Sequence, residues 1–261
     1  MARIYPLFSS SRGNSTYIGN ETAGFLIDCG VSYRRLTAAL TLNRIPISAV
    51  KAVFITHEHS DHVSGLKMLT KNTSAAVYGN KRTLQRLCDG DKIAPHSVLI
   101  DMNGRKVACV DYEISSFNTP HDAINSCGYK IRTPEGFDIA VCTDLGHITD
   151  EVRENLLGCK MVLLESNYDE NMLRHGPYPL YLKQRILSPI GHLSNDDCGE
   201  FAAELVENGA THILLGHLSQ ENNRPDTADK TVQQHLGKFA RGKDYIMGVA
   251  PVETAGGAVL L

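Results

Sequence analysis

The chain has 261 residues, 42% of them hydrophobic, and its 29 acidic and 26 basic side chains leave a net charge of −3. Such apolar content can bury a sizeable core and excludes a disordered chain; the slight acidity excludes a protein that coats nucleic acid unselectively, although a local basic patch can hide in that sum. Apolar runs such as "MVLLE" and "HILLG" fall far short of the roughly 20 residues that cross a bilayer, and the N-terminal "MARIYPLFSS" lacks a signal-peptide core, so a cytoplasmic protein away from membranes is expected.

In chain order, a polar, Gly-containing loop with Ser9, Ser10, Ser11, Gly13 and Asn14 precedes a buried strand at 25–30 ("FLIDCG") and a helix at 33–43. A strand at 52–57 ("AVFITH"), a helix at 63–72, a strand at 75–80 and a helix at 81–88 follow. The stretch 97–133 is poorer in helix and alternates at period two, as in "KVACVDYEI", which predicts antiparallel strands. Then come a strand at 137–144, a helix at 150–158, a strand at 160–166, a helix stopped by Pro189, a helix at 195–209, a strand at 211–217 and a helix at 229–240. This alternation means α/β layers. No repeat, low-complexity tract or linker divides the chain, so 1–261 is expected to form one domain. The seven cysteines stand singly with no C-x-x-C pair and read as buried free thiols of a reducing compartment.

The strand at 52–57 runs straight into His57-Glu58-His59-Ser60-Asp61-His62. In an extended loop His57 and His59 point to the same side, and Asp61 and His62 follow within one more turn, so one short loop can serve two cations about 4 Å apart. Imidazoles with a carboxylate suit Zn, Fe or Mn, and no thiolate is offered here. Asp28 and Glu165 close apolar strands, where burial without a partner is costly, and a natural use for them is to accept N–H groups from metal-binding histidines. The tetrapeptide Gly-His-Leu-Ser occurs twice. His217 arrives at the end of a buried strand, which suits a metal ligand. His192 follows a helix and precedes Ser194 and Asp197, a helix-capping pattern, so it sits in a turn at a helix entrance.

The run H-x-H-x-D-H with its flanking strands resembles the metallo-β-lactamase superfamily over essentially the whole chain. More narrowly, "SSSRGNSTYI", "LIDCG", "THEHSDH", "CTDLG", "LLESNYDENML", "YPLYLKQRILSPIGHLSN" and "LLGHLSQENN" resemble the YycJ/WalJ-type branch of small bacterial DNA exonucleases. The resemblance implies an α/β fold, an αββα sandwich in which two mixed sheets are flanked by helices, with metals at the sheet edges between two similar halves. It implies two divalent metal ions, Mn or Zn with Fe also compatible. His57, His59, His121 and Asp144 would hold one, and Asp61, His62, Asp144 and His217 the other. Asp122, beside His121, and His147, just beyond Asp144, are local rivals for these roles. In the related phosphodiesterases a histidine at the place of His192 stands near the leaving group and not on a metal.

A hydroxide bridging two cations can attack phosphorus, with Asp61 orienting it or taking its proton and His192 protonating the leaving sugar oxygen. The resemblance implies that this chemistry serves a phosphodiesterase, a 5′-to-3′ exonuclease acting on nucleic acid, DNA ahead of RNA. For substrate grip, Ser11 and Asn14 offer hydrogen bonds to a phosphate. The segment 167–185 interleaves Asn167, Arg174, His175, Lys183 and Arg185 with Tyr168, Tyr178 and Tyr181, a mixture that suits a nucleic-acid strand. Two other readings stand beside this one. The same design can open a small ester, thioester, lactone or cyclic phosphodiester, and a metal-stabilised regulatory module would carry the ligands without turnover.

Overall fold

The computed structural model describes residues 3–260. The chain opens with antiparallel strands β1 (Arg3–Ser10), β2 (Gly13–Gly19) and β3 (Gly24–Ile27), then helix α1 (Tyr33–Leu42). The first half continues with β4 (Val50–Phe54), the short α2 (Ser60–Val63), α3 (Leu66–Asn72), β5 (Ala76–Gly79), α4 (Lys81–Asp89) and β6 (Leu99–Asp101). Antiparallel β7 (Lys106–Cys109), β8 (Tyr112–Asn118), β9 (Cys127–Arg132) and β10 (Asp138–Cys142) open the second. It proceeds through α5 (Asp150–Leu156), β11 (Met161–Glu165), α6 (Glu170–His175), α7 (Leu180–Ile186), α8 (Asn195–Glu207), β12 (His212–Gly216), α9 (Pro225–His235) and β13 (Ile246–Val249). β14 (Val259–Leu260) returns to pair with β1.

Among the described residues these strands make two seven-stranded sheets, ordered β14-β1-β2-β3-β4-β5-β6 and β13-β12-β11-β10-β9-β8-β7. Both are mixed: β3 to β6 run parallel in the first and β10 to β13 in the second. The period-two alternation of a strand distributes each apolar run between two cores. Ile27, Phe54, Leu163 and Leu214 face the space between the sheets. Their neighbours Leu26 and Val53 pack outward against Leu36 and Leu69, and Leu164 and Leu215 pack outward against Val152, Phe201 and Val232. Helix, sheet, sheet and helix thus stack in four layers, the αββα sandwich. Parallel strands covered on both faces explain the near-continuous Val, Ile and Leu of these runs.

Three expectations need correction. Residues 9–14 are not a surface loop: Ser9, Ser10, Gly13 and Asn14 lie buried in the β1–β2 hairpin, and only Ser11 and Arg12 are exposed at its turn. The polar groups satisfy each other, with Asn14 Nδ2 donating to the Ser10 carbonyl at 2.9 Å and Ser15 Oγ to that of Asp28 at 3.0 Å. The last helix spans Pro225–His235 rather than 229–240, because Pro225 in its first turn has the helical φ already set. Cys88 lies on the exposed side of α4, while the other six cysteines are buried and free.

The end of β3 is laced to the loop after β4. Cys29 N donates to the His62 carbonyl at 2.8 Å, Gly65 N to that of Cys29 at 2.9 Å, and Gly30 N to that of Asn14 at 2.8 Å. A Cβ on Gly30 would meet the Asp61 carbonyl oxygen at 1.7 Å and Asn14 N at 2.6 Å, both of them backbone. Gly30→Ala is therefore expected to cost about 1–3 kcal/mol and to displace Asp61. Thermal denaturation with a parallel metal titration checks this, and an unchanged melting temperature together with unchanged metal affinity would refute it.

Candidate metal centre

The carboxyl ends of the parallel strands converge where the two sheets face each other, the usual place for a site in such sheets. Asp28 leaves β3, His57 follows β4, Asp144 leaves β10, Glu165 ends β11 and His217 leaves β12; His121 comes from the β8–β9 connection. Asp28, Asp144 and His217 turn off their strands in left-handed backbone, with φ of 61°, 60° and 56°. That conformation costs an L-residue roughly 1–2 kcal/mol, so the surrounding structure must hold it in place.

Hydrogen bonds behind the rings decide which nitrogen faces the centre. Thr56 Oγ1 donates to Asp28 Oδ2 at 2.8 Å, which spends its only proton, so it accepts from His57 Nδ1 at 3.0 Å. His62 Nδ1 donates to Asp28 Oδ2 at 2.7 Å, His121 Nδ1 to the Gly191 carbonyl at 2.9 Å, and His217 Nδ1 to Glu165 Oε1 at 2.7 Å. Each ring thus carries a proton on Nδ1 and turns Nε2 inward. Nε2 of His57, His121 and His217 and Oδ2 of Asp144 are buried with no hydrogen-bond partner. Buried polar atoms are rarely left unpaired, and cations among them would pair all four.

The donor atoms form two groups. His57, His59 and His121 bring theirs within 4.8 Å of one another, as do Asp61, His62 and His217. Asp144 lies between them, 3.2 Å from His62 Nε2, 3.6 Å from His217 Nε2 and 3.7 Å from His121 Nε2. A set of imidazoles and carboxylates without thiolate fits divalent cations of the Mn, Fe or Zn type. Asp144 with Glu165, His192 and His217 also comes within this range, but there both Nδ1 atoms are spent on Glu165.

Residues 24–217 match the family model described as a beta-lactamase superfamily domain. The chain is 34% identical over 233 residues to exodeoxyribonuclease YycJ of Bacillus anthracis, covering 88% of this chain and 87% of that protein. It is 34% identical over 240 residues to exodeoxyribonuclease WalJ of Streptococcus pneumoniae, covering 90% and 88%. The chain belongs to the metallo-β-lactamase superfamily. Its backbone superimposes on the metallo-β-lactamase fold protein YhfI of Bacillus subtilis with a TM-score of 0.73 at 15% identity, over 97% of this chain and 98% of that one. As a member of this superfamily the protein is a metal-dependent hydrolase.

Glu165 is the hub of this metallo-β-lactamase site. It is fully buried and accepts four hydrogen bonds, from Leu145 N at 2.9 Å, Leu193 N at 3.1 Å, His192 Nδ1 at 2.8 Å and His217 Nδ1 at 2.7 Å. Burial alone would raise its pKa, but His192 and His217 outweigh burial and hold it at about 2. The two Gly-His-Leu-Ser histidines therefore share one carboxylate. His192, half-buried between His121 and His217 at ring distances of 5.1 and 5.3 Å, keeps Nε2 available.

The substrate-contact expectations fare unevenly. Asn14 is buried with Nδ2 3.1 Å from His62 Nε2, so it braces the centre from within. Asn167 also turns inward, donating from Nδ2 to the His217 carbonyl at 2.8 Å. Ser11 is exposed at the hairpin turn, Arg174 is paired with Glu170 on α6, and Tyr178 packs on the small cluster of Tyr168, Leu173 and Ile186. Of the rivals, Asp122 is held by Arg185 at 2.8 Å, and His147 Nδ1 donates to the Pro189 carbonyl at 2.9 Å. Sequence reasoning missed Thr56 and placed Ser9 in a polar loop suited to a phosphate, whereas its Oγ accepts from His217 N at 2.8 Å. A hydroxyl directly before His57 was the available signal for Thr56.

The two groups differ electrostatically. Burial with the neighbouring histidines lowers the pKa of His57 and His121. Burial pushes His62 and His217 down as well, but Asp144, Asp28 and Asp61 carry His62 well above its ordinary value, and Asp144, Asp61 and Glu165 carry His217 to about 10. A ring raised from about 6.5 to about 10 stabilises the folded, chelator-treated chain fully below pH 6.5 and loses that contribution as pH rises through 10. A cation needs the same lone pairs and competes with those protons, so its affinity rises with pH. The melting-temperature gain on adding manganese or zinc to chelator-treated protein should therefore grow from about pH 6 to about pH 8.5. A gain that is flat or shrinks over that range would refute the assignment of His62 and His217.

Proposed function

We propose that the protein is a dinuclear phosphodiesterase that degrades DNA from the 5′ end toward the 3′ end. His57, His59, His121 and Asp144 would hold one cation and Asp61, His62, Asp144 and His217 the other, with manganese or zinc as the metals and iron also compatible. When bound, the cations supply charge neutralisation at the phosphoryl oxygens and a water acidic enough to react near neutral pH. Burial acts to raise the Asp61 pKa, but His62 and His217 outweigh it, so Asp61 stays ionised and can orient that water by accepting a hydrogen bond from it. Asp28 and Glu165 keep the rings of His62 and His217 oriented from behind.

His192 carries this reading. Its Nδ1 is held by Glu165, so Nε2 can present a proton at the rim of the centre, where a departing sugar oxygen would need one. A hydrolase of activated esters or thioesters has less use for such a donor, because its leaving group is the better one. The relatives named exodeoxyribonucleases support DNA as the substrate, and a cytoplasmic location belongs to the same proposal.

Metal-reconstituted protein incubated with end-labelled duplex DNA and RNA, under manganese, zinc or magnesium, tests the proposal, with a chromogenic β-lactam and a thioester in parallel. Mononucleotides released from the 5′ end of DNA are expected. Turnover of the carbonyl substrates with DNA untouched would remove the reading. His192→Ala should retain metal and lose roughly 10²–10⁴ in kcat, whereas His217→Ala should lose metal; the reverse pattern would overturn the division of labour between the two histidines.

A further inference from the structure

Beside the chain segments that carry Asp61 and His217 lies a trough made of two adjoining cavities that share Gln220 and Val252. One, of about 270 Å³, is floored by Leu218, Pro225, Val249, Ala250 and Pro251, with Ser9 and Ser219 among its few polar groups. The other, of about 230 Å³, runs past Phe8, Ser10, Gly13 and Val31. Both touch the centre through the chain itself. Ser9 holds His217 N, Leu218 and Ser219 follow His217 directly, and Gly13 and Val31 flank the Gly30 contact with Asp61.

Three arginines line the trough: Arg12, Arg35 and Arg224. Arg35 is fixed on the wall, 4.8 Å over the Phe8 ring and 2.6 Å from Glu253. Arg12 and Arg224 are exposed and have no ion-pair partner among the described residues. Arg224 also stands at the start of α9, an eleven-residue helix with no side-chain cap, whose positive end faces the same cavity. An apolar floor bordered by unpaired cations matches the chemistry of a nucleic-acid strand, whose bases are apolar on their faces and whose linkages are anionic.

We propose that this trough seats a single-stranded stretch of the DNA next to the scissile phosphodiester, with an unpaired base on the apolar floor and flanking phosphates on Arg12 and Arg224. The proposal rests on the phosphodiesterase reading and adds to it the path of the strand. Base pairing would block entry to the floor, so the trough selects single strands or frayed ends over a closed duplex.

The test compares Arg12→Ala/Arg224→Ala with Arg3→Ala/Lys51→Ala, which removes equal charge at the opposite end of the first sheet, where β1 and β4 begin. Binding of a short phosphorothioate-linked single strand to metal-loaded protein is read by fluorescence anisotropy over a salt series. Hydrolysis is read on end-labelled DNA and on bis(p-nitrophenyl) phosphate, a diester too small to reach the trough. The first variant should bind the strand about tenfold more weakly, with a log–log salt slope shallower by about 0.7 per lost contact. Its loss of kcat/KM on DNA should exceed its loss on the small diester by about tenfold, and the control variant should match the wild type. Wild-type binding and salt slope in the first variant, or an equal loss in the control, would overturn the trough. A wild-type protein that binds the strand through these arginines yet cleaves no nucleic acid would instead overturn the phosphodiesterase reading alone.

Discussion

A buried carboxylate must find donors for all its lone pairs, and in this protein that requirement orders the site around Glu165. Its four partners come from three different places: the turn after β10, the entrance of α8 and the end of β12. Taking one donor away from a buried charge costs about 3–5 kcal/mol, so these segments hold one another in position. The same tie is repeated just beyond it. Asn195, after the first Gly-His-Leu-Ser, and Asn223, after the second, exchange amide hydrogen bonds at 3.1 and 2.8 Å, and Asn223 also reaches the Ser166 and Asn167 carbonyls at 2.9 and 3.1 Å.

Asp28 does for the first sheet what Glu165 does for the second. It accepts from Thr56 N, Thr56 Oγ1 and His62 Nδ1, all within 2.9 Å, and so fixes the turn that delivers both His57 and His62. Each half of the sandwich therefore contributes one buried anion behind the rings, and Asp144 lies in front of them between the two groups. At Glu165 and Asp144 the neighbouring imidazoles outweigh the cost of burying the charge, whereas at Asp28 burial prevails over His62 and Thr56 and raises the pKa. The surrounding carboxylates in turn hold His62 well above its ordinary value and His217 at about 10.

Much of this was legible in the sequence, for identifiable reasons. The apolar runs at 52–57, 160–166 and 211–217 read as strands because both of their faces are covered. The dense group from His57 to His62 stands out because it has no use in an ordinary turn. The hairpin β1–β2 was not legible: Ser9, Ser10 and Asn14 are polar and buried, and a polar stretch satisfied from within looks like a solvated one until its partners are known. Asn14 and Asn167 were misjudged for the same reason, since an amide near a site can face the substrate or the rings, and only the fold distinguishes the two. Arg12 and Arg224 are far apart in the chain and come to one trough only because β1 lies beside the segment after β13.

The left-handed backbone at Asp28, Asp144 and His217 has a bearing on how this site can drift under mutation. Apart from glycine, the residues that most readily adopt that conformation are Asn, Asp and His. These same side chains carry an oxygen or nitrogen able to meet a cation or an imidazole N–H. At these three positions the backbone and the chemistry therefore filter for one short set of residues. A replacement by Val or Ile would lose the donor and strain the chain as well, so the ways of dismantling the site one substitution at a time are few.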